Sequence, residues 1–182
     1  MIYRLVVIAD QPKKWTVKSL SLTACCAGTS WRLYLFQVGA VPEVNRSAIV
    51  PFSAAQMYAL VRNVDSYPQF LDWVRSAEVH EQDERYQRAT LEVKLAGLTQ
   101  RFTTVNRLVP DKKLVMNLER GAFEHLSGRW EFDELGSGCR VSLSLEFEIG
   151  GLLLRPFRRN FSRMADRMVD DFVRRAEQVH GG

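Results

Sequence analysis

The sequence predicts an α+β fold in which a curved antiparallel sheet of about seven strands wraps around one long C-terminal helix. Two observations predict it. From Trp73 onward the apolar residues recur at period two for more than seventy residues, and the last thirty residues carry a single apolar stripe at helical spacing. Widths supply the third argument: seven strands at ~4.8 Å spacing span roughly 34 Å, whereas a helix is about 10–12 Å across. A flat sheet would leave most of its dry face exposed, so the sheet must curl, and a curled sheet gripping one helix encloses a gap.

The C-terminal helix organises the rest. Phe157, Phe161, Met164, Met168 and Phe172 recur at steps of four, three, four and four, with Ala165, Val169, Ala176 and Val179 on the same side. Arg155, Arg159, Arg163 and Arg167 form a row on the opposite side, joined by Arg158, Asp166, Asp170, Asp171, Arg174 and Arg175. Spacing alone suggests that Arg163 pairs with Asp166, and Arg167 with Asp170 or Asp171.

The other elements follow in chain order. Alternation from Val44 to Val50 makes a first strand, stopped by Pro51. Ser53 and Gln56 form a capping box for a helix running to about Val64, with Met57, Leu60, Val61 and Val64 inward and Phe52 stapling onto Met57. Pro68 opens a second short helical turn, where its missing N–H costs nothing. Six strands come next. Their dry positions include Leu91, Val93 and Leu95; Phe102, Thr104 and Leu108; Leu114, Met116 and Leu118; Leu126, Trp130 and Phe132; and Val141, Leu143, Leu145, Phe147 and Ile149. Turn signals separate them at Asp83-Glu84, Ala96-Gly97, Val109 to Lys112, Arg120-Gly121 and Gly136 to Gly138. Such short connections make antiparallel hairpins.

Residues 1–40 do not share these patterns. They hold five basic residues against one acid, whereas the remaining residues hold twenty of each sign, so the pI of 9.1 comes from this leader and does not mark the body as a nucleic-acid binder. An organellar presequence and a flexible arm both fit. The preferred expectation is that this stretch is upstream sequence wrongly included, with the domain proper running over 41–182 from Val41-Pro42, where the domain pattern starts abruptly. Asp10 breaks the apolar run after Arg4, which argues against a secretory signal. No run approaches the ~18 apolar residues of a spanning helix.

Three cysteines, Cys25, Cys26 and Cys139, supply neither a disulfide framework nor metal-ligand spacing. His80, His125 and His180 are scattered, and neither a Ser-His-acid order nor a Gly-rich phosphate loop is present. His125 beside Glu124 reads equally as a surface pair and as an acid/base couple. The expectation is a non-enzymatic protein without a metal.

The strings SAIVPFSAAQMYALVRNVDSYPQFLDW, QRFTTVNRL, LERGAFEHLSGRWEF and CRVSLSLEFEI, followed by the helix through Ala176, resemble the coenzyme Q-binding START-like family. That family also includes the RatA-type ribosome-association toxins, within the polyketide cyclase/dehydrase-like superfamily. Tyr67-Pro68 with Phe70-Leu71, and Leu126, Gly128, Trp130 and Phe132 in register, carry the resemblance most specifically. Asp72, where a proline is usual, departs from it.

The resemblance implies a helix-grip fold that holds a polyprenyl quinone, ubiquinone, as a bound ligand supporting respiratory electron transport, with no cofactor required. Its alternative implication is a toxin that binds the large ribosomal subunit and blocks subunit association. On the first reading the cavity is lined by Tyr67, Phe70, Trp73, Phe102, Met116, Phe123, Leu126, Trp130, Phe157, Phe161, Met164 and Met168. An apolar tip beside basic residues, Leu153 and Leu154 with Arg155, Arg158, Arg159 and Arg163, is the expected contact with a membrane interface or the ribosome. A packed core and a merely solvated arginine face are the plain readings of the same residues. The expected location is the cytoplasm, or the inner-membrane periphery, on the matrix side in a eukaryote.

Overall fold

Seven antiparallel strands in the order β1-β7-β6-β5-β4-β3-β2 form one sheet in the computed structural model, which describes residues 43–181. The expectations for residues 1–40 fall outside the described residues. In chain order the elements are β1 (Glu43–Val50), α1 (Ala54–Arg62), a 3-10 turn (Val64–Gln69), β2 (Val74–Gln82), β3 (Tyr86–Leu95), β4 (Leu98–Val109), β5 (Lys113–Gly121), β6 (His125–Leu135), β7 (Gly138–Glu148), a 3-10 turn (Leu152–Leu154) and α2 (Arg155–His180).

Local chemistry accounts for the boundaries. Ser53 Oγ accepts from the Gln56 N–H at 3.2 Å while Gln56 Oε1 accepts from the Ser53 N–H at 2.8 Å, so the capping box forms as its spacing predicts. α1 ends two residues earlier than Val64, at Arg62. Both the Ser66 N–H and its hydroxyl bond to the Asn63 carbonyl, which tightens the chain into a 3-10 turn that begins at Val64, ahead of Pro68. Pro68 therefore lies inside this turn and does not open it. The β3–β4 hairpin turns on Ala96 and Gly97, both at positive φ (52° and 79°), the primed-turn geometry that matches strand twist.

The 26 residues of α2 extend roughly 39 Å at 1.5 Å per residue. Phe157, Phe161, Met164, Ala165, Val169, Phe172 and Ala176 are buried against the sheet and α1. Val179, assigned to the same stripe, is 49% exposed: the last turn runs past the cover that buries Ala176. The facing layer is the dry side of the strands, with Val141, Leu143, Leu145 and Phe147 of β7 and Trp130 and Phe132 of β6 all buried. Gly128 stands opposite Met116 in the β5–β6 register, and its bare Cα leaves space for the Met116 side chain that a Cβ would contest.

Candidate functional site: an apolar cavity and an arginine row

Where the grip closes, α1, the 3-10 turn, the sheet and α2 leave a cavity of about 60 Å³. Tyr67 and Trp73 line it from the α1 side, Phe102, Met116, Leu126 and Trp130 from the sheet, and Phe161 and Met168 from α2. Four residues proposed for the cavity lie elsewhere. Phe70 sits in an aromatic cluster with Tyr67 and Phe172, with the Arg175 guanidinium 5.4 Å from its ring centre. Phe123 is wedged among Phe102, Phe157 and Phe161. Phe157 and Met164 are buried in the core without reaching the cavity wall. The helical stripe is wider than the gap, so its outer members pack and do not line.

Sequence reasoning missed the polar end of this cavity. Asn106 lines it, only 4% exposed, beside Thr104. Gln87, fully buried on β3 opposite Asn106, donates through Nε2 to the Arg62 carbonyl and to Gln82 Oε1, both at 2.9 Å. Asn106 Nδ2 then donates to Gln87 Oε1 at 3.0 Å. Tyr67 satisfies a second carbonyl of the α1 end, its hydroxyl donating to the Val61 oxygen at 2.6 Å, and burial pushes its phenol well above the usual range. Two buried polar atoms of the cavity residues have no partner among the described residues, Asn106 Oδ1 and Trp73 Nε1. Asn106 falls between Thr104 and Leu108 at the period of two, and that spacing was the available signal.

The second feature is the wet face of α2. Arg155, Arg158, Arg159, Arg163 and Arg167 are all exposed, and none forms an ion pair among the described residues. The expected local pairs do not form among the described residues: Asp166 is taken by Arg46 of β1, Asp171 by Arg174, and Asp170 forms no ion pair. Leu153 is 88% exposed next to this row, whereas Leu154 is half-buried against the core. No acid lies in the first turn, so Arg155 and Arg158 stand at the positive end of the helix dipole, a placement that costs stability unless an anion is met there, while Arg163 and Arg167 lie towards the middle of α2.

The histidines are dispersed. His80 Nε2 lies 2.7 Å from Thr90 Oγ1 on the outer face of the sheet, and His125 is 3.9 Å from Glu146, not joined to Glu124. No group of three or more metal-ligating side chains occurs among the described residues. No described helix is long and apolar enough to cross a membrane.

Comparison with known proteins places this geometry. Residues 50–173 match the family model described as polyketide cyclase / dehydrase and lipid transport. The chain belongs to that family. It is 41% identical over 141 residues to the ribosome association toxin RatA of Pseudomonas aeruginosa, covering 76% of this chain and 98% of the relative. A more distant likeness, 26% over 145 residues, is to the mitochondrial coenzyme Q-binding protein COQ10 homolog B of Xenopus laevis, covering 76% of this chain and 59% of that protein. Among solved structures, a START superfamily protein from Mycobacterium smegmatis superposes with a TM-score of 0.64 at 18% identity, over 75% of this chain and 98% of the other. At that identity the likeness concerns the fold, and it agrees with the helix-grip architecture.

Proposed function

We propose that this protein binds the ribosome in the cytoplasm, on the large subunit, and hinders subunit joining, with the N-terminal half of α2 as its contact with RNA phosphates. The observation that carries the reading is the row of five exposed arginines, without ion pairs among the described residues, that begins at the positive end of α2 and runs to its middle. Between Arg155 and Arg167 the only acid is Asp166, and Arg46 occupies it. Guanidinium forks suit phosphate oxygens, and a helix N-terminus adds to the field. The relatives at about 41% identity bear a ribosome-association name and are covered almost end to end. Co-sedimentation with purified large subunits tests the proposal. Wild-type protein is expected in the ribosomal fraction at low salt, and the triple variant Arg158→Gln, Arg159→Gln, Arg163→Gln in the supernatant. A wild-type protein that stays in the supernatant at low salt overturns it.

A second reading, binding of an apolar ligand such as a polyprenyl quinone, draws support from the cavity and its two unpartnered polar atoms. Its size argues for the first reading. Ligand pockets hold ~300–1,000 Å³, so at about 60 Å³ this one admits a quinone only after Met116 and Met168 swing aside. Unbranched thioether side chains are well suited to that movement.

A further inference from the structure

We propose that the cavity selects an apolar molecule carrying a hydroxyl, held by donation of its O–H to Asn106 Oδ1. This rests on the second reading above, that the cavity is a ligand site, and adds which chemistry the site accepts. The chain of hydrogen bonds begins with a carbonyl. The Arg62 oxygen can only accept, so the Gln87 amide must present Nε2 to it, 2.9 Å away. Gln87 Oε1 is then an acceptor, and Asn106 must present Nδ2 to it, at 3.0 Å. The orientation of both side-chain amides is thereby fixed by the backbone of α1, without choice of flip.

With one Nδ2 hydrogen committed to Gln87, Oδ1 is the atom of Asn106 that is buried with no partner at all, on a residue that lines the cavity. A carbonyl oxygen accepts and never donates. A ligand whose polar atoms are only acceptors, such as a quinone, an ether or a ketone, therefore leaves Oδ1 without a partner. A ligand with an O–H satisfies it. Trp73 Nε1 is the opposite case, a buried donor without an acceptor on a residue of the same cavity wall. The two orphans are not neighbours, since Trp73 bonds to Lys94 while Asn106 stands opposite Gln87, seven residues away along β3, so the hydroxyl is assigned to Asn106 alone. Applied to the quinone couple, the same polarity favours the reduced, dihydroxy form over the oxidised one.

A matched probe pair isolates the donor. 4-Butylphenol and 4-butylanisole share ring and tail and differ by O–H against O–CH3. Calorimetric titration of the wild-type full chain is expected to give the phenol an affinity at least tenfold higher than the ether. In Asn106→Leu that preference should shrink to less than threefold. The wild-type comparison stands even if this variant does not fold, because it needs no substitution. Equal affinities, or tighter binding of the ether, overturn the hydroxyl preference while leaving an apolar site. Binding of neither probe up to its solubility overturns both, with the orphan acceptor then satisfied by water alone.

Discussion

Arg46 on β1 holds Asp166 on α2 by two bonds, Nη2 to the carboxylate at 2.6 Å and Nε to the backbone carbonyl at 3.2 Å. This link fastens the edge strand of the sheet to the middle of the long helix. It also withdraws the one acid among the five arginines, so the row faces outward uncompensated.

Both partners are partly exposed, so the link contributes little to stability. Asp166→Asn should lower the unfolding free energy by about 0–1 kcal/mol, read from the urea midpoint at unchanged m. The same variant removes a negative charge and frees Arg46, so its affinity for large subunits should rise, opposite in sign to the arginine variants.

The capping box predicts a larger effect from a smaller change. Ser53→Ala loses the bond to the Gln56 N–H and should cost about 1 kcal/mol. Urea unfolding of the variant against wild type measures it, and a change within error would mean that water replaces the cap.

Gln87 is fully buried and joins three partners, the Arg62 carbonyl, Gln82 and Asn106. Gln87→Leu leaves a carbonyl and an amide unpaired inside the protein, at roughly 1–3 kcal/mol for each. It should therefore be more destabilising than Ser53→Ala by a clear margin.

Alkaline pH should weaken the fold. Burial raises the Tyr67 phenol above its ordinary value near 10.0, and it raises Tyr58 and Cys139 in the same direction. Below the unfolded values both states are protonated and the full stability is present. As pH rises through about 9 to 10 the unfolded chain releases protons that the folded chain retains, so stability falls. Tyr67→Phe should lower stability at neutral pH, through loss of the bond to Val61, yet flatten the alkaline decline. An unchanged slope would contradict the assignment.

How far the string of residues led can be judged from particular positions. Strand β7 was plain, because Val141, Leu143, Leu145 and Phe147 alternate with polar residues and the sheet buries one face only. The α2 stripe was equally plain up to Ala176. The cavity was legible as a necessity of width but not in its members: whether Phe123 lines a gap or fills one depends on neighbours from β4 and α2 that meet only in space. Asn106 escaped notice because a lone polar residue in a strand has many surface explanations, and its partner Gln87 lies on another strand. The arginine row misled in one respect. Local spacing joined Arg163 to Asp166, whereas the stronger partner came from 120 residues away.

The salt dependence of binding to purified large ribosomal subunits tests the central claim most directly. If the five arginines meet RNA phosphates, log K against log salt should fall with a slope of about −3.5 to −4.5, at 0.7–0.9 per phosphate contact. The variant lacking Arg158, Arg159 and Arg163 should bind more weakly and with a slope of about −1.4 to −1.8. A flat dependence, identical for wild type and variant, would contradict the account and remove the arginine face from the protein's function.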